Sequence, residues 1–166
     1  SIYIPLAVNN LNSFLNFAKD LNIAGFSVSM PFKRKIIKFL SKKSKEVILT
    51  NSCNTVVLKN SKLIGYNTDY IAVEKILKKY KKFKNKKIQI LGNGATCKTV
   101  IMVLKKLGFK NINIFVRNRK IKNKKSYNVF LWNDRNKKKF DILINTTPIG
   151  MNRIKVDKCP ITIKSI

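Results

Sequence analysis

The chain has 166 residues, with 36 Lys and Arg against 7 Asp and Glu, no His, and a formal net charge of +29 at pH 7. The absence of His excludes His-based catalysis and most metal sites, because His is the commonest metal ligand. Cys53, Cys97 and Cys159 form no C-x-x-C pair, so neither a disulfide framework nor a zinc site is expected.

The large positive charge has two explanations. Lys, Asn and Ile number 31, 20 and 22, and A/T-rich codons encode all three, so codon bias accounts for scattered lysines. The alternative is a basic surface that binds nucleic acid. We expect the first, and therefore neither a nucleic-acid nor a membrane partner. Without a long apolar run or a signal-peptide pattern, a cytoplasmic location (or its organellar or endosymbiont equivalent) is predicted.

The first half of the chain alternates between strand and helix patterns. The predicted elements, in chain order, are a strand at 2–8, an amphipathic helix at 9–21, a strand at 25–30 ended by Pro31, a helix at 32–40, and two strands at 54–58 and 62–66 that a turn at 59–61 joins into a hairpin.

The stretch from Lys62 to Asp69 ends on one of only 7 acids in the chain. A strand that ends in Gly-Tyr-Asn-Thr-Asp places polar groups at a strand-to-loop junction, where they can line a cleft. The alternative is that Thr68 or Asp69 caps a helix predicted at 70–81. The basic run 81–87 then predicts a linker, and therefore two domains at 1–82 and 83–166.

The second half alternates between strand and helix patterns, as is typical of a parallel sheet. Its predicted elements are strands at 88–91, 112–116, 128–131 and 141–145, with a helix at 95–107 that ends at Gly108. Strands separated by helical patterns predict a doubly wound α/β sheet.

A glycine-bearing turn joins the first strand of this half to its helix. Gly92 permits a tight turn, and Gly94 allows a pyrophosphate to approach the backbone next to the unpaired N–H groups of the helix. Cys97 replaces the third glycine of G-x-G-x-x-G and is small enough for helix–strand packing. The sequence therefore predicts a dinucleotide-binding loop over Gly92, Asn93, Gly94, Ala95 and Thr96.

The end of the second strand indicates which dinucleotide binds. NAD sites place an acid there for the ribose 2′-hydroxyl, whereas no acid occurs between Gly92 and Asp134. The residues present, Arg117, Asn118 and Arg119, suit a 2′-phosphate, so NADP(H) is the predicted cofactor. The alternative is that the two arginines are solvated loop charges.

Five motifs in order resemble shikimate dehydrogenase. They are Ser27-Val28-Ser29-Met30-Pro31-Phe32-Lys33, Cys53-Asn54-Thr55, Gly65-Tyr66-Asn67-Thr68-Asp69, the Gly92 loop, and Asn145-Thr146-Thr147-Pro148-Ile149-Gly150-Met151. The stretch Ala24-Gly25-Phe26-Ser27-Val28 is especially similar to the dehydrogenase part of bifunctional dehydroquinate dehydratase–shikimate dehydrogenases. An N-terminal α/β substrate domain and a Rossmann-like NADP-binding domain are the fold that this resemblance implies.

The implied activity is the reversible, NADP-dependent reduction of 3-dehydroshikimate to shikimate in chorismate biosynthesis. Lys33 and Asp69 match the catalytic pair, and Ser29 and Asn54 match substrate-binding residues. A Lys ammonium can protonate the developing alkoxide while a carboxylate holds its position. The Gly92 loop, Asn118, Arg119, Thr146 and Met151 would bind the cofactor. A small-molecule substrate, no metal, and a monomer or homodimer are expected.

Parts of the family pattern are missing. No Ser-x-Ser segment precedes the first motif, no Gln-bearing helix follows Met151, and the short spacing 117–126 predicts a shortened or lost crossover helix. Both domains are thus expected to be incomplete. A fragment of a longer chain is favoured over a degraded homologue that at most binds NADP, and a quinate/shikimate dehydrogenase remains an alternative.

Overall fold

The structure of the chain is a computed structural model that describes residues 2–117, 126–150 and 159–162. It divides into two compact units, Ser1–Thr68 and Asp69–Ile166, each with a four-stranded sheet. The α/β class predicted from the sequence is confirmed. No helix within the described ranges is long and apolar enough to cross a bilayer.

The first unit has a mixed sheet in the order β1-β3-β4-β2, in which β2 and β4 are parallel and the other pairs are antiparallel. Its elements are α1 (Leu11–Asp20), β1 (Gly25–Ser27), α2 (Phe32–Lys35), a 3-10 turn (Ile36–Phe39), β2 (Lys42–Lys43), α3 (Lys45–Thr50), β3 (Thr55–Lys59) and β4 (Lys62–Tyr66).

Helix α1 forms where the apolar spacing predicted it. The side chain of Asn10 accepts hydrogen bonds from the N–H groups of Asn12 and Ser13, at 2.9 and 3.2 Å, and so caps the helix. Leu15 and Ala18 lie one turn apart and are both buried. The remaining residues of the helix are polar or partly exposed, so α1 covers one side of the core.

The hairpin between β3 and β4 is confirmed, with a turn of two residues rather than the three expected. Asn60 and Ser61 both have positive φ, at 49° and 59°. Two successive left-handed residues form the turn whose twist matches that of the flanking strands, and Asn tolerates this backbone well. The strand register is therefore fixed locally, with Lys59 opposite Lys62.

Gly25 in β1 provides the first testable prediction. A Cβ atom at this position would lie 2.6 Å from the backbone oxygen of Val56, on the neighbouring strand. We therefore expect Gly25→Ala to lower the free energy of unfolding by about 2 kcal/mol, since backbone atoms cannot yield as a side chain can. Urea titration measures this value. Ser27→Ala on the same exposed strand is the control and is expected to change it by less than about 0.5 kcal/mol.

Two predictions for this unit are corrected by the structure, and two of its elements were missed. Residues 2–8 form no strand, and Ile2 and Tyr3 are 89% and 78% exposed. A strand is defined by ladder hydrogen bonds, and within the described ranges no strand pairs with this segment. The helix predicted at 32–40 is only one α-turn followed by a 3-10 turn. Strand β2 and helix α3 were not predicted at all.

The second unit contains a parallel sheet in the order β7-β6-β5-β8. Its elements are α4 (Thr68–Lys78, whose first residue ends the first unit), a 3-10 turn (Lys81–Phe83), β5 (Ile88–Leu91), α5 (Ala95–Lys106), β6 (Ile112–Val116), β7 (Asn128–Leu131), a 3-10 turn (Trp132–Asp134) and β8 (Ile142–Asn145). This confirms the doubly wound sheet, and its strand order reverses between β5 and β8, where such folds bind nucleotides.

Both faces of this sheet are covered. On one face, Ile88 and Ile90 pack with α5 in the larger core of the unit. On the other face, Leu91 and Phe115 pack with Ile161. Two successive hydrogen bonds hold the segment around Ile161 against this second face. The buried Gln89 side chain donates to the backbone oxygen of Arg135 at 2.8 Å, and Arg135 Nε donates to the oxygen of Pro160 at 2.6 Å.

Helix α4 belongs by packing to the second unit. Tyr70 is buried in the core that includes Ile88, and Val73 and Leu77 pack against the same core. The compact units divide at Thr68, and the two domains at 1–82 and 83–166 stay a prediction. Residues 118–125, where a shortened crossover was expected, lie outside the described residues.

Candidate active site

Three backbone hydrogen bonds in the first unit bring the predicted substrate-side segments together. The N–H of Cys53 donates to the oxygen of Lys33 at 2.8 Å. The N–H of Asn54 donates to the oxygen of Tyr66 at 3.1 Å, and the oxygen of Asn54 accepts from the N–H of Val28 at 2.8 Å. The start of β3 is thus tied to the segment that carries Ser29 and Lys33 and to the end of β4.

The orientation of the Asn54 amide is set by its contacts with Thr68 and Thr55. Its Oδ1 accepts from the N–H of Thr68 at 2.9 Å, from the Thr68 hydroxyl at 3.2 Å and from the Thr55 hydroxyl at 3.0 Å. Its Nδ2 donates to the Thr68 hydroxyl at 2.9 Å. An amide nitrogen has two hydrogens, so one N–H of Asn54 has no partner among the described residues. That N–H can bind a hydroxyl of a substrate.

Helix α4 includes both Thr68 and Asp69, so neither is the residue that precedes the helix as its cap. Asn54 instead satisfies the first N–H group, from outside the helix. Asp69 is exposed in the first helical turn, where a negative charge is favourable. Ser29 is exposed, and its hydroxyl makes only a long 3.4 Å contact with the backbone oxygen of Met30. Lys33 is half-buried in α2.

Thr68 and Asn67 were not singled out as site residues from the sequence. Asn67 is 2% exposed, and its Nδ2 donates to Thr50 Oγ1 at 2.8 Å. Asn is one of the commonest residues of this chain, with 20 copies, so the sequence offered no signal that this one is buried. Its position one residue before Thr68 could have suggested a structural role at the strand end.

The loop after β5 has the properties expected of a phosphate-binding turn. Gly92 has φ +107°, and a Cβ there would lie 2.8 Å from Thr146 Oγ1. Gly94 precedes α5, no side chain caps that helix end, and a Cβ on Gly94 would meet no described atom within 4 Å. The N–H groups at the start of α5 are therefore accessible to an anion, and the residues present fit a dinucleotide.

The loop after β8 lies beside the Gly92 turn. Thr146 donates to the backbone oxygen of Leu91 twice, from its N–H at 2.9 Å and from Oγ1 at 2.6 Å. Asn145 Oδ1 accepts from the N–H and the hydroxyl of Thr147, at 3.0 and 2.7 Å, and Asn145 Nδ2 donates to the oxygen of Ile149 at 2.9 Å. These bonds fix Asn145 to Ile149 at the point where the strand order reverses.

Cys97 occupies the position of the third glycine and is 1% exposed in the core beneath the loop. Burial raises the pKa of its thiol to about 11, against a smaller lowering by a hydrogen bond with Thr146 and by the charge of Lys98. A thiol with this pKa is protonated at neutral pH and is a poor nucleophile. Cys97 therefore packs the helix against the sheet, as predicted, and is inert.

Cys97 gives a pH-dependent prediction. Its pKa is raised in the folded protein to about 11 from the ordinary thiol value of 9.0, so the folded state holds the thiol proton more tightly. The stability from this proton is complete below pH 9 and is lost as the pH rises to 11, on the order of 2 kcal/mol. Chemical unfolding of wild type and Cys97→Ala at several pH values measures it. The difference in free energy of unfolding between the two proteins should shrink from pH 9 to pH 11, and a constant difference would exclude the effect.

Arg117 is exposed directly after β6, where a ribose 2′-phosphate would be expected. Asn118, Arg119 and Met151 lie outside the described residues, so their predicted contacts with the cofactor stay predictions. Among residues 2–117, 126–150 and 159–162, no group of three His, Cys, Asp or Glu side chains could hold a metal ion.

Comparison with known proteins agrees with these features. Residues 1–56 match the model of the shikimate dehydrogenase substrate binding domain. A shikimate dehydrogenase (NADP(+)) from Clostridium botulinum (strain Hall) is 35% identical over 97% of this chain and 64% of its own length. The chain belongs to the shikimate dehydrogenase family. It spans less than two thirds of the length of the curated relatives that it matches, from 56% to 64%.

Solved structures of the shikimate dehydrogenase family share the fold of this chain. Shikimate dehydrogenase 1 from Peptoclostridium difficile superposes with a TM-score of 0.81 at 25% identity, over 98% of this chain and 61% of that protein. A shikimate dehydrogenase in complex with NADP+ has a TM-score of 0.69 at 29% identity, over 93% of this chain and 57% of that protein. The two units therefore have the arrangement of strands and helices found in this family.

Proposed function

We propose that the protein is an NADP-dependent shikimate dehydrogenase that reversibly reduces 3-dehydroshikimate to shikimate. The observation that carries this proposal is the junction around Asn54. Backbone bonds tie Asn54 to Lys33 through Cys53 and to the end of β4 through Tyr66, while the Asn54 amide is oriented by Thr68 with one N–H to donate. Relatives that are 35% and 36% identical to this chain are named shikimate dehydrogenase (NADP(+)).

The reaction requires one proton and a means to hold a polyhydroxylated ring. NADPH, when bound, supplies a hydride to the ketone carbon. The Lys33 ammonium donates the proton that the developing alkoxide needs, or stabilises its charge through a charge-assisted hydrogen bond. Asp69 serves as the carboxylate partner of this lysine. Asn54 and Ser29 bind ring hydroxyl groups through the amide N–H and the exposed hydroxyl.

The cofactor is held by the second unit. The amino end of α5, beyond Gly94, binds the pyrophosphate, and the Gly92 turn is kept close to the sheet by Thr146. Asn93, Ala95 and Thr96 are exposed around this end and would contact the phosphates. Arg117 and Arg119 favour the 2′-phosphate of NADP over the free hydroxyl of NAD. The protein acts in the cytoplasm, as a monomer or homodimer without a metal.

The test is an assay of the oxidation reaction, with shikimate or quinate as substrate and NADP+ or NAD+ as cofactor. Shikimate with NADP+ is expected to give the highest kcat/KM. Quinate and NAD+ are each expected to reduce it by at least about tenfold, which corresponds to one lost hydrogen bond or ion pair. Equal rates with quinate would support a quinate/shikimate dehydrogenase instead. NADP+ binding without turnover of either substrate would indicate a non-catalytic homologue and overturn the proposal.

A further inference from the structure

Asn67 is a buried polar residue at the junction between β4 and α4. Its side chain is 2% exposed, and its Nδ2 donates to Thr50 Oγ1 at 2.8 Å and to the backbone oxygen of Ser52 at 3.1 Å. The Thr50 hydroxyl donates its own hydrogen to the oxygen of Glu46 at 2.7 Å, so it is an acceptor for Asn67. The Asn67 amide nitrogen thus donates to Thr50, the last residue of α3, and to Ser52, two residues later.

These two bonds hold the segment that carries Asn54. Helix α3 ends at Thr50, and its C-cap residue Asn51 has the left-handed backbone conformation with φ 48°. Ser52 follows, and Asn54 is two residues further along the chain. Since Asn67 donates a hydrogen bond to the oxygen of Ser52, it restrains the position of the short segment between α3 and Asn54.

Asn67 is also covalently next to the second partner in the same contact. Thr68 follows it directly, and the N–H and hydroxyl of Thr68 set the orientation of the Asn54 amide. Asn67 is therefore joined to Thr68 by the peptide bond, and to the segment that leads to Asn54 by its hydrogen bond to Ser52. A residue that only filled space in the core could be replaced by an apolar side chain without moving Asn54.

We propose that Asn67 is a positioning residue, which fixes the Asn54 amide for recognition of a substrate hydroxyl group. The proposal rests on the proposed function, in which Asn54 binds the substrate. Because Asn67 is 2% exposed, its role in this proposal is to hold Asn54 and not to bind the substrate directly. Its removal should act on the affinity for the polyhydroxylated substrate and leave the cofactor site in the second unit unchanged.

The first test is the kinetics of Asn67→Ala. We expect KM for 3-dehydroshikimate to rise by about tenfold, as for the loss of one hydrogen bond, while KM for NADPH changes by less than about twofold. In the double variant Asn54→Ala, Asn67→Ala the second change should add less than about twofold, because residues that act through one another are not additive. Full multiplication of the two effects would overturn the proposal.

Two matched variants separate positioning from general destabilisation. Gln89→Leu removes a buried amide of the second unit, which is 1% exposed, and should lower stability without raising KM for 3-dehydroshikimate. Thr50→Val removes the hydroxyl that accepts from Asn67 and donates to Glu46, and should raise this KM about threefold or more, while Thr50→Ser keeps the hydroxyl and should match wild type. If Asn67→Ala does not fold, the difference in KM between Thr50→Val and Thr50→Ser tests the positioning role.

A second readout does not depend on turnover. The N–H of Thr68 is bonded to Asn54 Oδ1, so its hydrogen exchange reports the position of the amide. Asn67→Ala should speed exchange at Thr68 by about tenfold and leave Ile90 in β5 unaffected. Unchanged exchange at Thr68 would overturn the positioning role. If wild type shows no turnover while Thr68 responds as expected, the proposed function fails and the positioning of Asn54 stands.

Discussion

Replacing Lys33 with alanine is expected to lower kcat for the reduction of 3-dehydroshikimate by about 1,000-fold. The proposed role of this lysine is to supply a proton to the developing alkoxide, and general acid catalysis of this kind contributes about 100- to 10,000-fold. The affinity for NADPH should remain within about twofold, because its site lies in the second unit. Steady-state kinetics and fluorescence titration with NADPH measure the two effects separately.

Lys35 provides the matched control for Lys33. It lies two residues further along α2, is exposed, and holds its Nζ 5.7 Å from the centre of the Phe32 ring. Lys35→Ala removes the same charge from the same helix and should retain wild-type kcat. Asp69→Asn should lower kcat by about 100-fold, since it removes the carboxylate from the proposed pair. Equal activity of Lys33→Ala and Lys35→Ala would show that Lys33 has no catalytic role.

Replacing Gly94 with valine should weaken NADPH binding by about 100-fold or more and leave the fold intact. Gly94 has φ −73° and an extended backbone that any residue adopts, and a Cβ there would meet no described atom within 4 Å. The fold therefore does not require glycine at this position. A side chain would instead fill the space next to the N–H groups of α5, where we place the pyrophosphate. Calorimetric titration with NADPH measures the affinity.

Gly108 is the control for this experiment because the opposite result is expected there. Its φ is +84°, so Gly108→Ala should lower the free energy of unfolding by about 1 kcal/mol through backbone strain. It ends α5 at the far end from Gly94 and should leave NADPH affinity unchanged. If Gly94→Val binds NADPH as tightly as wild type, the cofactor does not use this helix end.

The sequence predicted the second unit more accurately than the first. The strands at 88–91, 112–116 and 128–131 were located to the residue, because buried parallel strands are short apolar runs separated by polar turns. Residues 2–8 have an equally apolar pattern but form no strand, since a strand also needs a partner, which local pattern does not reveal. Helix α3 was missed because it spans only six residues and begins in a run of lysines.

The candidate site was predicted through its scarce residues. Glycines and acids are few in this chain, so Gly92, Gly94 and Asp69 stood out, whereas the many Asn and Lys residues did not. Burial and hydrogen bonding distinguish Asn67 from the other asparagines that the structure describes, and both depend on contacts 15 and 17 residues away in the chain. Similarly, Asn54 was expected to bind substrate, but its role in capping α4 required the structure.

The transfer of hydride between cofactor and substrate tests the central claim most directly. The protein is incubated with 3-dehydroshikimate and NADPH that carries deuterium at the reactive carbon of the nicotinamide, and the product is analysed by mass spectrometry. We predict shikimate that carries one deuterium, formed at similar rates by wild type and Lys35→Ala and about 1,000-fold more slowly by Lys33→Ala. Recovery of unchanged 3-dehydroshikimate from wild-type protein that binds NADPH would contradict the account.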